Sequence, residues 1–413
     1  MSAPGASPLD DAVRANMERN LQLLPVWWVL RWAWLGEAIW VIYLIDVRGL
    51  TLGQVLLFEA AYSTVVVLVE VPTGILADRF GRRPMLIAGS LGWGAAFTTF
   101  GLATTFETLL GSYILFAIGY SLFSGADTAF LFDTLRTLGR GDEFARRAGR
   151  LNGVSTVVTA LFTLAGSLMV RWTPLAWPMV LSGVFSLVAA ASALPLREPP
   201  AVERATSFFQ AGASATRRAV RTPQLRWAIA IAAVAQVGAT IVFITFQPIV
   251  IDAGAPVWSL GGFATAILLV SGLGGWSSGT LLGRYGLNRT LRVLVAFTGL
   301  ALFSGAFEVL WLFPLFILPA FVFEAVHPLV ADYLARRVPD GERATMLSIN
   351  ELAAQIGGIV VTVALGIAVD RLGTGISLAA LGVAMLLFGL GAYALWRREG
   401  DLELALPATV EAQ

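Results

Sequence analysis

The sequence predicts an all-α membrane protein: twelve transmembrane helices in two pseudo-symmetric six-helix halves. Three observations lead there. The chain is 57% hydrophobic and 13% charged, with mean hydropathy +0.76, whereas soluble domains carry about 25% charged residues. Twelve apolar runs reach the ~20 residues that a bilayer-spanning helix needs, at 24–46, 51–77, 84–105, 107–135, 148–170, 174–196, 225–251, 258–282, 290–311, 313–337, 345–370 and 374–396. Strands of a membrane barrel need only about ten residues, so runs of this length are helical. Third, one short turn rich in glycine and arginine recurs along the chain.

Composition excludes several classes. Cysteine is absent, which removes disulfides, thiolate metal sites and cysteine nucleophiles. There is no lysine, so a Walker-type phosphate loop cannot be built. The single histidine and net charge of +1 indicate neither a metal cluster nor nucleic-acid binding. The bilayer is the expected partner; no cofactor, no enzymatic activity and a monomer are expected. Residues 1–23 are polar, lack the apolar run of a secretory signal, and suit a cytoplasmic tail with an interfacial helix over Asp11–Leu24. Residues 24–196 and 225–396 form the halves. The linker 197–224, which holds Pro199, Pro200, Arg217, Arg218 and Arg221, separates them, and 397–413 is a second cytoplasmic tail.

The arginines orient the spans. Arg48, Arg171 and Arg371 fall on one side and Arg31 within the first span; the other 24 of 28 share the side of both termini. Basic loops face the cytoplasm, so both termini are placed there.

The recurrent turn is Gly74-Ile75-Leu76-Ala77-Asp78-Arg79-Phe80-Gly81-Arg82-Arg83, between the second and third spans. Gly279–Gly286 aligns with it position by position, Gly366–Gly373 does so again with Asp370 in place of Asp78, and Gly166–Arg171 is a fainter copy. Arg147-Ala148-x-x-Leu151 and Arg343-Ala344-x-x-Leu347 open the fifth and eleventh spans, and Asp133 and Asp332 close the fourth and tenth. Copies in inverted three-helix units are a mark of secondary transporters.

The turn resembles the G-x-L-a-D-R-x-G-R-R signature of the major facilitator superfamily of secondary transporters, over spans 24–396. Glu70-Val71-Pro72-Thr73-Gly74 and Ser124-Gly125-Ala126-Asp127 are similar to a bacterial branch of it. Two features depart: Gly153–Gly166 lacks the G-P-x-x-G-G run of drug antiporters, and the fourth span carries Asp127 where proton-coupled members have an arginine, while Arg31 stands in the first. The resemblance implies alternating access, with spans one, four, seven and ten lining the cavity. It implies that Gly74, Asp78, Arg79, Gly81, Arg82 and Arg83 form a gate, with Asp78 latching the start of the eleventh span and Arg82 pairing with Asp133.

Ionisable groups within a span cost about 2.5–3.5 kcal/mol each on insertion scales and are functional candidates. They are Arg31, Glu37, Glu59, Glu70, Asp127, Glu324, His327 and Glu351. Polar stripes at helical spacing add Tyr113, Tyr120, Ser124 and Asp127 on the fourth span, Gln236, Thr240 and Gln247 on the seventh, and Asn152, Thr156, Thr159 and Thr163 on the fifth. The first two stripes point to the cavity; the third suits packing or cavity. The candidate substrate site is Arg31, Glu37, Trp40, Tyr120, Asp127, Gln236, Thr240, Gln247, Glu324 and His327. Glu37, Asp127 and Glu324 are candidates to carry a coupling proton. Glu70 is expected as a structural partner of Arg31. Glu324 and His327, three residues apart, are within reach of each other; His327 is a proton relay or a packing residue. Trp27 and Trp28 are expected as interface anchors, and Trp40 to touch an aromatic or cationic substrate. In-span acids exceed bases, which favours export of an organic cation or amphipathic compound in exchange for protons. Import of a small metabolite with Arg31 holding an anionic group, lipid flipping, and a non-transporting sensor are the alternatives.

Overall fold

The computed structural model describes residues 11–200, 208–339 and 342–399, and they are helical throughout, with no strand among them. Along the chain lie α1 (Asp11–Leu30), α2 (Leu52–Phe80), α3 (Arg82–Leu102), α4 (Phe106–Phe123), α5 (Ala126–Thr137), α6 (Phe144–Met169), α7 (Ala176–Ala193), α8 (Phe208–Arg221), α9 (Pro223–Asp252), α10 (Leu260–Ser304), α11 (Leu318–Ala335), α12 (Arg343–Leu372) and α13 (Thr374–Glu399). Ten stretches among the described residues are long and apolar enough to cross a membrane. They match the expected spans, except that the eighth and ninth run together and the first is interrupted.

Two compact units form. One takes the described residues of Met1–Trp40 and Ala61–Arg204, the other those of Val41–Ala60 and Ala205–Gln413. Residues 41–60, read from the sequence as part of the first half, therefore group with the second unit. In the first unit α3 packs on α4 and α7, and α1 on α5, α6 and α7. In the second, α10 packs on α11 and α13, and α9 touches α11, α12 and α13. Glycines allow close approaches: Gly119 meets Gly89 across α4 and α3, and Gly382 meets Gly299 across α13 and α10. In lipid, where apolar surface alone does not drive helices together, such small-residue contacts let backbones close up.

The first span departs from expectation. The helix predicted over Asp11–Leu24 continues to Leu30, breaks over residues 31–39, and resumes as Trp40–Ile42 followed by a π-helical turn, Tyr43–Val47. Irregular backbone at membrane depth survives only where its polar groups find partners in protein. Ser155 and Thr159 of α6 supply two of them, Ser155 Oγ donating to Trp28 O (3.3 Å) and Thr159 Oγ1 to Trp32 O (3.2 Å), while Thr163 Oγ1 donates to the Glu37 carboxylate (2.8 Å). Ser182 Oγ accepts the Leu35 N–H at 2.9 Å. Gly166 of α6 lies so close to the Leu35 carbonyl that a Cβ would collide with it. Within the fifth-span stripe, Thr159 and Thr163 thus bond the first span, while Thr156 is exposed and bonds its own helix at Asn152 O.

The fourth span is also broken. Gly125, at φ 75°, ends one segment and starts α5. The eighth and ninth spans join without a loop at Gly286, which has φ 69° and ψ 160°. The ninth stops at Ser304, short of the expected 311, and gives way to 3-10 turns.

Candidate functional site

Three turn copies share one backbone device. Gly81 (φ 93°, ψ 165°), Gly286 (φ 69°, ψ 160°) and Gly373 (φ 83°, ψ 161°) each end one helix and start the next. A positive φ is costly for any residue with a Cβ. At Gly81 space adds a second reason: a Cβ would lie 2.7 Å from the Glu198 carboxyl carbon. Glu198, which the sequence reading passed over, caps α3 by accepting the N–H groups of Arg82 (2.6 Å) and Arg83 (2.8 Å). Carboxylates are favoured at such helix starts because the N–H groups there lack intrahelical partners. Arg82 Nε donates to Asp133 Oδ2 at 2.8 Å, the pairing the resemblance implies, and Arg83 donates to Leu194 O at 2.6 Å. Gly74, Asp78 and Arg79 lie on the exposed face of α2.

In the first unit, Arg31 and Asp127 stand beside the two helix breaks and form a buried ion pair, with side chains 6% and 8% exposed. The Arg31 guanidinium also lies over the rings of Trp28 (4.4 Å), Trp27 (4.9 Å), Trp32 (5.4 Å) and Phe123 (5.7 Å). Glu70 is exposed on α2, so it is not the partner of Arg31 that the sequence suggested. Trp27 and Trp28 are buried, not interfacial. Trp27 Nε1 donates to Ser90 Oγ and Trp28 Nε1 to Asn152 Oδ1, both at 3.0 Å. Asp127 sits in the first turn of α5, and its Oδ1 accepts the Thr128 N–H at 2.5 Å. Glu37, half-buried in the chain break, accepts from Thr163, and Trp40 packs edge-on to Tyr113 at 6.5 Å. Tyr120 is half-buried and stacks on Trp93 at 6.3 Å.

In the second unit, Gln236 is half-buried and Thr240 exposed on α9, whereas Gln247 is fully buried. Gln247 Oε1 accepts the N–H groups of Val41 (2.9 Å) and Ile42 (3.4 Å), so it holds the restart of the first span and lines no open stripe. His327 does not bond Glu324. Its Nε2 bonds Glu351 Oε1 at 2.9 Å, and Asn350 Nδ2 donates to the same oxygen at 3.3 Å. The side chains of His327 and Glu351 are 43% and 41% exposed. Glu324 lies one helical turn before Pro328, which has no N–H to offer its carbonyl. Glu351 therefore joins the candidate site. No repeat spacing links it to His327, because the two sit on different helices. No group of three metal-ligating side chains occurs among the described residues.

Long apolar helices, two of them broken beside buried charges, together with glycine turns repeated along the chain, define a multi-pass membrane transporter. The chain belongs to the Major Facilitator Superfamily, whose sequence profile matches residues 32–362. Membership makes it a transporter and not an enzyme. It is 27% identical to the probable nitrate/nitrite transporter NarK2 of Mycobacterium tuberculosis over 319 residues, 73% of this chain and 76% of that one. A chloramphenicol resistance protein of Pseudomonas aeruginosa is 30% identical over 148 residues, 35% of this chain and 34% of that one. Among solved structures, the nucleoside transporter NupG shares the fold with TM-score 0.77 at 12% identity, over 93% of this chain and 99% of that one.

Proposed function

We propose that the protein exports an organic cation or amphipathic compound in exchange for protons, by alternating access, across a bacterial inner membrane with both its termini in the cytoplasm. The observation that carries this reading is the charge balance left once Arg31 and Asp127 neutralise each other. Of the in-span acids, Glu37, Glu59, Glu70, Glu324 and Glu351 then remain, against the one histidine, His327. Withdrawing water from a carboxylate favours its neutral form, so an acid that alternates between wet and dry surroundings takes up and releases a proton. Asp127 is engaged as the counter-ion of Arg31, and the coupling role falls to Glu37 and Glu324. Tyr120, Gln236 and Thr240 contribute aromatic, amide and hydroxyl groups to the substrate path, whereas Trp40, expected there from the sequence, is 3% exposed and packs against Tyr113. Asp78 acts as the cytoplasmic latch, in a turn braced by the Arg82–Asp133 pair. The likeness to a chloramphenicol resistance protein supports export.

A second reading is uptake of a small anion at Arg31. Its Nε is buried without a hydrogen-bond partner, and the relative matched over most of the chain is a probable nitrate/nitrite transporter. Ligand-induced shifts in melting temperature separate the two. Purified protein is screened at pH 6 and pH 8 against tetraphenylphosphonium and other organic cations, neutral amphiphiles, nitrate and nitrite. The first reading predicts stabilisation by a cation, tighter at pH 8, with the pH dependence lost in Glu324→Gln. Stabilisation by nitrate alone, abolished in Arg31→Gln, would overturn it in favour of the second.

A further inference from the structure

The copy of the signature turn at Gly366–Gly373 keeps its aspartate, and the structure shows what that aspartate holds. Asp370 lies in the last turn of α12. Its Oδ2 accepts from Thr51 Oγ1 at 3.1 Å and its Oδ1 from the Gly53 N–H at 3.2 Å. Thr51 and Gly53 form the start of α2, where backbone N–H groups have no intrahelical partner and the helix dipole favours a negative charge. The helices approach closely there: a Cβ on Gly366 would lie 2.9 Å from the Gly53 carbonyl oxygen, and a Cβ on Gly53 would collide with the Asp370 carboxylate. The same α2 ends at the signature turn. Its 29 residues rise about 43 Å at 1.5 Å per residue, so the two aspartate turns lie at opposite ends of one helix.

We infer that Asp370 is a gate residue: it clamps the start of α2 to the end of α12 and holds shut the side of the transport path opposite the signature turn. This rests on the alternating-access reading above. Sequence symmetry and geometry meet in it. Asp78 and Asp370 occupy the same position of two copied turns, and Gly81 and Gly373 end those copies with nearly the same backbone angles. Opening on the Asp370 side requires the carboxylate to leave Thr51 and Gly53. Each substitution that weakens this grip shifts the protein towards the form open on that side.

The native chain has no cysteine, so nitroxide pairs can be placed freely. Leu57→Cys with Leu372→Cys, both exposed positions, reports the clamp end by double electron–electron resonance. Leu76→Cys, within the signature turn, with Leu352→Cys on α12, also exposed, is the signature-end pair. Asp370→Ala is expected to raise the long-distance population at the clamp end at least threefold. Thr51→Val, which spares the Gly53 bond, moves it less and in the same direction. Gly53→Ala leaves the charge in place, displaces the carboxylate, and matches Asp370→Ala. Arg371→Gln changes nothing. If the signature-end pair shows two distances while the clamp-end distribution ignores Asp370→Ala and Gly53→Ala in monodisperse protein, the clamp is overturned and alternating access stands. If neither pair shows a second distance at any pH, the reading beneath it fails as well.

Discussion

Arg31 has a double set of partners, one ionic and one aromatic. A guanidinium at membrane depth needs both a counter-charge and something to replace its water. Asp127 provides the first, and the rings of Trp27, Trp28, Trp32 and Phe123 provide the second. Removing one member of a buried pair leaves the other uncompensated, at about 3–5 kcal/mol. Arg31→Met and Asp127→Ala are each expected to lower the unfolding free energy of the solubilised protein by that order, and the double substitution by less than the sum. Equal and additive losses in thermal unfolding would contradict the pair. The sequence marked both residues as in-span charges but not as partners, because they are 96 positions apart and no helical spacing relates them. The Arg82–Asp133 pair was legible only through the family resemblance. The His327–Glu351 bond was hidden for the same reason as the first pair: the ladder of spacings within one helix says nothing about the face of its neighbour.

Among the elements, α2, the turn and α3 were readable because their chemistry is local. Glycine for a positive φ, arginines for one side of the membrane and an aspartate within the same ten residues all speak from adjacent positions. The cap on α3 was not, since Glu198 is 116 residues from Arg82. Glu198→Ala is expected to cost about 1 kcal/mol, the usual loss for an N-cap, measurable as a lowered melting temperature. The break after Leu30 was invisible because hydropathy persists through it, and apolar side chains do not report whether their backbone is helical. Its partners come from α6, α7 and, for the restart, Gln247. Gly166→Ala should therefore destabilise by about 1–3 kcal/mol, the range for overpacking, although alanine is the better helix former. No loss of stability there would contradict the close approach to Leu35.

The linker helix α8 carries a pH-dependent contact. Arg218 Nε and Ser214 Oγ donate to Glu342, each at 2.9 Å. The Arg218 guanidinium foremost, then Ser214, holds the Glu342 carboxyl below its usual range. Its contribution is thus complete above the ordinary glutamate value near 4.3 and fades as pH falls through the lowered native value. A nitroxide at Val220→Cys is expected to gain mobility below about pH 4, with no such step in Glu342→Gln.

At the scale of the whole molecule, the class of protein was the most legible feature. Hydropathy and internal repeats are summed over hundreds of residues, so the class survives a broken first helix and a merged eighth and ninth, although ten and not twelve separate spans are long and apolar enough among the described residues. What the sums could not reveal was which charges cancel. With Arg31 set against Asp127, the in-span acids outnumber the bases, and Glu37 and Glu324 among them become the centre of the account, which claims that protons move against substrate through them. The most direct measurement uses everted membrane vesicles carrying a respiration-driven proton gradient reported by a pH-sensitive dye, with organic cations, neutral amphiphiles and small anions added in turn. The account predicts that at least one cation dissipates the gradient with the intact protein and fails to do so with Glu324→Gln at equal expression. Dissipation by a cation that is undiminished in both Glu324→Gln and Glu37→Gln, or by small anions alone, would contradict it.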